Sequence, residues 1–83
     1  MKLLYFAWVR QKIGRSDEEM KLPDGVATIS ELLLMLHARG GGYAEAFAEP
    51  WRLRAARNQE HVPFDAIIGG DDEIAFFPPV TGG

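Results

Sequence analysis

Apolar residues run without a break from Leu3 to Val9, with Tyr5, Phe6 and Trp8 among them. A continuous apolar run of this length, closed by a charge, reads as a buried strand over residues 2–9. The polar stretch that follows, residues 10–16, contains Gly14 and reads as a hairpin loop. Residues 17–22 read as a second, more polar strand. Pro23-Asp24-Gly25 stops it, because proline presets φ and glycine accepts a positive one.

The apolar period then changes. Ile29, Leu32, Leu33 and Leu36 recur at i, i+3, i+4 and i+7, which marks one face of a helix. Thr28-Ile29-Ser30-Glu31 fits a capping box at its start, with threonine as N-cap and glutamate three residues on. Gly40-Gly41-Gly42 is expected to end the helix, with Arg39 placed favourably near its negative end. Residues 43–48 suggest a short helical turn closed by Pro50. Residues 51–56 read as a third strand. Asn58-Gln59-Glu60 is a turn, His61-Val62 a short strand, Gly69-Gly70-Asp71-Asp72 another turn, and residues 73–77 a final strand.

This order predicts an α+β domain, one main helix packed across a mixed sheet. The first and last strands run parallel if they are neighbours, because a helix-containing crossover separates them. Strand alternation then sorts the side chains. If Leu3, Tyr5 and Ala7 face the helix, then Leu4, Phe6 and Trp8 face away. If Ile74 and Phe76 point inward, Ala75 and Phe77 point outward. One helix covers one face only, so Leu4, Phe6, Trp8 and Phe77 would gather on the open one, which is a partner-binding signal. The competing expectation is that the loop over residues 10–16 folds across them.

Composition narrows the functional classes. The chain has 83 residues, enough for one small domain, and its 47% apolar and 25% charged residues are ordinary for a globular protein. A net charge of -3, with no basic stripe, argues against nucleic acid as a partner. No apolar run approaches the length of a membrane span, and the amino terminus reads better as a strand than as a signal peptide. The expected location is the cytoplasm. The chain has no cysteine, which excludes disulfides, thiolate metal sites and cysteine nucleophiles.

Few side chains are arranged for chemistry. His37 and His61 are far apart and lack cysteine or paired carboxylates, so no metal site is expected. Asp71-Asp72-Glu73 reads as a solvated loop. Gly40-Gly41-Gly42 follows a helix and lacks the lysine of a phosphate loop. Thr28 and Ser30 are capping residues. Arg52, Arg54 and Arg57 read as a solvated edge or as polar contacts to a partner.

What remains is the end of the sequence, Phe76-Phe77-Pro78-Pro79-Val80-Thr81-Gly82-Gly83. Pro78 and Pro79 end a strand and stiffen the exit. Val80 and Thr81 favour extended backbone. A Gly-Gly end threads a channel too narrow for other residues. Five residues beyond Pro78 reach roughly 16–18 Å. Once activated as an acyl-adenylate, the Gly83 carboxylate becomes an electrophile. Attack by a sulfur donor gives a thiocarboxylate, and attack by an amine gives an isopeptide.

The stretch from Asp72 to Gly83, ending Phe76-Phe77-Pro78-Pro79-Val80-Thr81-Gly82-Gly83, closely resembles the end of the MoaD family, the small sulfur-carrier subunits of molybdopterin synthase. Leu4-Tyr5-Phe6-Ala7-Trp8-Val9-Arg10 resembles that family's start, and Asn58-Gln59 its mid-chain pair. The resemblance implies the β-grasp, ubiquitin-like fold, with residues 1–78 as the domain and 79–83 as an extended tail. It implies that a MoeB-like activating enzyme uses ATP to adenylate Gly83 and that a sulfur donor makes the thiocarboxylate. The tail then enters a MoaE-like large subunit and delivers sulfur to cyclic pyranopterin monophosphate. Two transfers build the dithiolene of molybdopterin within a heterotetramer. Gly83 would carry the sulfur, Gly82 would give clearance, and Val80 and Thr81 would line the inserted tail. Phe6, Phe77, Pro78 and Pro79 would meet the partner. No cofactor stays bound. Arg57 and His61 depart from the family, which usually has apolar residues there. The alternatives are a related carrier for thiamine or tRNA thiolation, a protein-conjugation modifier, or a ubiquitin-like module that carries nothing.

Overall fold

The computed structural model describes residues 1–79. Val80, Thr81, Gly82 and Gly83 lie outside the described residues. Five strands form one mixed sheet: β1 (Lys2–Tyr5), β2 (Asp17–Glu19), β3 (Arg54–Arg57), β4 (Glu60–Val62) and β5 (Glu73–Phe77). Their spatial order is β2-β1-β5-β3-β4. The first and last strands lie side by side and parallel at the centre, Leu3 opposite Ile74 and Tyr5 opposite Phe76. Every other strand pairing among the described residues is antiparallel.

Helix α2 (Ile29–His37) crosses one face and buries Ile29, Leu32, Leu33 and Leu36. The capping box is complete: the Thr28 hydroxyl accepts from the Glu31 N–H, and the Glu31 carboxylate accepts from the Thr28 N–H. Leu3, Tyr5, Ala55, Ile74 and Phe76 rise from the sheet to meet the helix, all nearly inaccessible to solvent. The strand alternation inferred from sequence is therefore correct at Leu3, Tyr5, Ile74 and Phe76.

The first apolar run behaves differently from expectation. It is not one strand over residues 2–9 followed by a loop. β1 ends at Tyr5, and residues Ala7–Ile13 form helix α1. The break is local: Phe6 is still extended, with φ −124°, and Ala7 turns into the left-handed region at φ 53°. Once the chain has turned, Val9 and Ile13 fall one helical turn apart and face inward, while Arg10, Gln11 and Lys12 are exposed. Gly14, at φ 90°, closes the helix by donating its N–H to the Arg10 carbonyl at 2.8 Å. Val9 belongs to the core, and α1 packs against α3 and β5, on the same side of the sheet as α2.

Smaller departures have local causes. The second strand is shorter than expected, Asp17–Glu19. Helix α2 stops at His37, and Gly40, at φ 78°, is the N-cap of a third helix, α3 (Gly41–Ala46), rather than only the end of the second. Gly42 lies where α3 crosses α1, and a Cβ there would collide with the Lys12 carbonyl oxygen. Pro50 opens a 3₁₀ turn, Pro50–Arg52, so the third strand begins only at Arg54. The β3–β4 turn is built on Asn58 (φ 49°) and Gln59 (φ 71°), the two consecutive left-handed residues of a tight hairpin.

Candidate functional site

The side of the sheet facing away from the helices carries three rows of side chains, set by the register. The middle row is Asp17, Leu4, Ala75, Ala56 and His61. Beside the end of β5 lie Phe77 and its partner Arg54. Phe6 joins this end, because its N–H donates to the Phe76 carbonyl at 3.2 Å and extends the β1–β5 pairing by one residue. At the opposite end, Lys2 stands between Glu19 and Glu73.

The centre of this face is apolar. Phe6 is 47% exposed, and Leu4, Ala75 and Phe77 are half-buried. Ala56 is nearly covered although it lies outside the main core cluster. The His61 ring lies 5.0 Å from the Phe77 ring, centroid to centroid. Three of the four side chains expected on the open face, Leu4, Phe6 and Phe77, are therefore together. Trp8 is not with them. It sits on α1, half-buried, with the Arg52 guanidinium 5.0 Å over its ring. Nor does the segment 10–16 cover the face, since α1 takes up most of it on the other side. Pro78 and Pro79 follow Phe77 at the end of β5, both half-buried.

Two polar networks hold the strands that frame this face. Asp72, expected in a solvated loop, instead organises the start of β5. Its carboxylate accepts from the Asn58 side-chain amide at 2.9 Å and from the Gly69 N–H at 2.7 Å. The Asn58 carbonyl oxygen in turn accepts from the Glu73 N–H at 3.0 Å. The bond from Asn58, then that from Gly69, holds the Asp72 carboxyl below the usual carboxylate range. The second network centres on Glu18, whose side chain is only 9% exposed. Tyr5 and Tyr43 both donate to one carboxylate oxygen, and Arg39 donates to the other at 3.0 Å. Burial alone would raise the Glu18 carboxyl, but the bonds from Tyr43, Tyr5 and Arg39 outweigh it and lower it. Burial and Glu18 together raise the Tyr5 phenol, which keeps it a donor. Sequence spacing gave no sign of this cluster, which gathers β1, β2, α3 and the chain before it.

Among the described residues, no group of three metal-ligating side chains is placed to hold an ion. His37 ends α2 and His61 points from the outer face of β4, so they do not meet. No described helix is long and apolar enough to cross a membrane.

One main helix laid across a mixed sheet, with first and last strands parallel at its centre, is the β-grasp arrangement of ubiquitin-like proteins. SAMP1 from Haloferax volcanii superposes with a TM-score of 0.73 over 100% of this chain and 98% of its own, at 26% identity. A Pyrococcus furiosus protein described as a molybdopterin converting factor, subunit 1, gives a TM-score of 0.75 over 95% of each chain, at 30% identity. The molybdopterin synthase sulfur carrier subunit of Escherichia coli is 40% identical over 83 residues, covering 100% of this chain and 99% of that protein. The Haemophilus influenzae subunit of the same description is 39% identical over the same span. The ThiS family model matches residues 3–83. The chain belongs to the ThiS family, among its MoaD-like members.

Proposed function

We propose that this chain is the sulfur carrier subunit of a molybdopterin synthase and that Gly83 is the residue that carries the sulfur. One observation supports this above the others: the likeness to molybdopterin synthase sulfur carriers spans the whole chain, Gly-Gly end included. The chemistry needs no side chain of this protein. A MoeB-like enzyme joins the Gly83 carboxylate to AMP at the expense of ATP, releasing pyrophosphate. A sulfur nucleophile displaces AMP and leaves a thiocarboxylate. The tail then enters a MoaE-like subunit, where the sulfur passes to cyclic pyranopterin monophosphate. Two such transfers form the dithiolene. The catalytic pocket belongs to the larger subunit, and the reaction takes place in the cytoplasm.

Each part of the carrier has a separate task. Phe6, Phe77, Pro78 and Pro79 dock, Val80 and Thr81 line the tail, and Gly82 lets the terminus through. A reconstituted assay with the activating enzyme, a sulfur donor and the large subunit tests this. Deleting Gly83, or changing Gly82→Ala, abolishes molybdopterin formation while the unfolding transition stays where it was. A Gly83-deleted chain that still supports dithiolene formation overturns the proposal.

A further inference from the structure

The outward face of the sheet is split by charge. Asp17 and Glu19 stand on the β2 edge, both exposed. Arg54 and His61 stand on the β3–β4 edge, also exposed. Between them lie Leu4, Ala75, Ala56 and Phe77, with Phe6 beside the exit of the tail. Lys2 stands in register between Glu19 and Glu73, so acids flank it on both sides.

Among the described residues, Arg54 has no acidic register partner; its neighbour on β5 is Phe77. The ion pairs found among the described residues join Arg15 and Arg39 to Glu18, and Arg52 to Glu49. Arg54 instead donates one N–H to the Leu53 carbonyl at 2.8 Å, which fixes the guanidinium at the rim and leaves further donors for another molecule. His61 is held against Phe77, and a neutral imidazole still has one N–H to give. Covering this face with a wholly apolar surface would strand both groups, at the cost of an unpaired buried charge.

We propose that the surface receiving this face is an apolar hollow with carboxylates on the rim that meets Arg54 and His61 and cations on the rim that meets Asp17 and Glu19. The occupant is the folded subunit that takes the tail, so the inference rests on the sulfur-carrier reading. Arg54 and His61 then act as specificity determinants. The charge split also gives the apolar face a direction. Turned end for end, acid would meet acid and base would meet base, so the partner takes the sheet one way round and the tail, leaving after Phe77, is aimed at one channel.

The test is titration calorimetry of the full-length carrier with the large subunit of the same organism, at about 50 mM and about 300 mM salt, conditions that screen rim charges to different extents. The wild type is expected to bind more weakly at the higher salt. Arg54→Glu and His61→Glu are each expected to weaken low-salt binding about tenfold or more and to flatten the salt dependence. Lys12→Glu, on an exposed residue of α1 across the sheet from this face, stays within about twofold of wild type, because it alters neither rim. Arg54→Gln, which keeps most of the side-chain stem, loses less than Arg54→Glu and decides the matter if the latter does not fold. Wild-type binding that ignores salt, or Arg54 and His61 variants that bind like wild type, overturns the charge-split rim while leaving the carrier reading intact. A wild-type chain that does not bind the large subunit at all overturns both.

Discussion

Glu18 shows how much of this small domain depends on single polar contacts. Its carboxylate is the acceptor for two tyrosines and one arginine, and it ties the edge strand β2 to β1 and α3. Its folded-state pKa is depressed, so its contribution is fully present above the ordinary carboxylate value and is lost as the pH falls through the lower, folded one. Asp72 has the same sign. Glu18→Gln is expected to lower stability at neutral pH by about 1–3 kcal/mol, the cost of mismatching buried donors. It should also make the acid decline of stability shallower than in the wild type. Urea unfolding followed across the acid range measures both. An acid limb as steep in Glu18→Gln as in the wild type would show that other carboxylates govern it. Nothing near Glu18 in the sequence announces this role, because Tyr5, Arg39 and Tyr43 come to it from distant positions.

The most legible segment of the sequence carries two agreeing signals, and the least legible carries one that fits two structures. For α2, a complete capping box and an apolar stripe of period 3.6 agree, and the helix forms where both place it. The parallel central pair followed from connectivity, and the inward positions Leu3, Tyr5, Ile74 and Phe76 followed from alternation. The run from Leu3 to Val9 offered only hydrophobicity, which fits a strand and a buried helix equally well. The turn between them falls on Ala7 at φ 53°, where a glycine would have marked it. That ambiguity extends to Trp8, which lies on the helix, while Phe6, on the strand side of the turn, is exposed as alternation predicts. The packing of the missed helix yields its own expectation. Gly42 sits where α3 meets the Lys12 carbonyl of α1, so Gly42→Ala must push the two helices apart. Overpacking of this kind costs about 1–3 kcal/mol. The melting temperature should fall, whereas a methyl group at the exposed Gly70, which meets nothing within 4 Å, leaves it nearly unchanged.

On the proposed reading, the sheet divides stability from recognition. Its inner face holds the fold together, and its outer face has few internal partners to lose. A domain of this size has a stability on the order of 5–10 kcal/mol, so a single large cavity consumes much of it. Leu3, fully buried, and Phe6, 47% exposed, lie three residues apart on these two sides. Leu3→Ala is expected to destabilise the domain by about 2–5 kcal/mol. Phe6 stands at the N-cap of α1 but makes no side-chain cap bond, so Phe6→Glu removes none and should leave stability within about 0.5 kcal/mol of wild type. The Phe6 N–H bond to Phe76 belongs to the backbone and survives the change. Partner binding should reverse the ranking. The introduced carboxylate would be buried without a counter-ion against an apolar surface, which costs several kcal/mol. The Leu3→Ala domain, at a temperature where it is still folded, keeps its outer face and binds nearly as well as wild type. Denaturation and calorimetric titration of the two variants, run in parallel, check the separation. If Phe6→Glu binds the large subunit like wild type, the docking face does not include Phe6 and must lie elsewhere around the exit of β5.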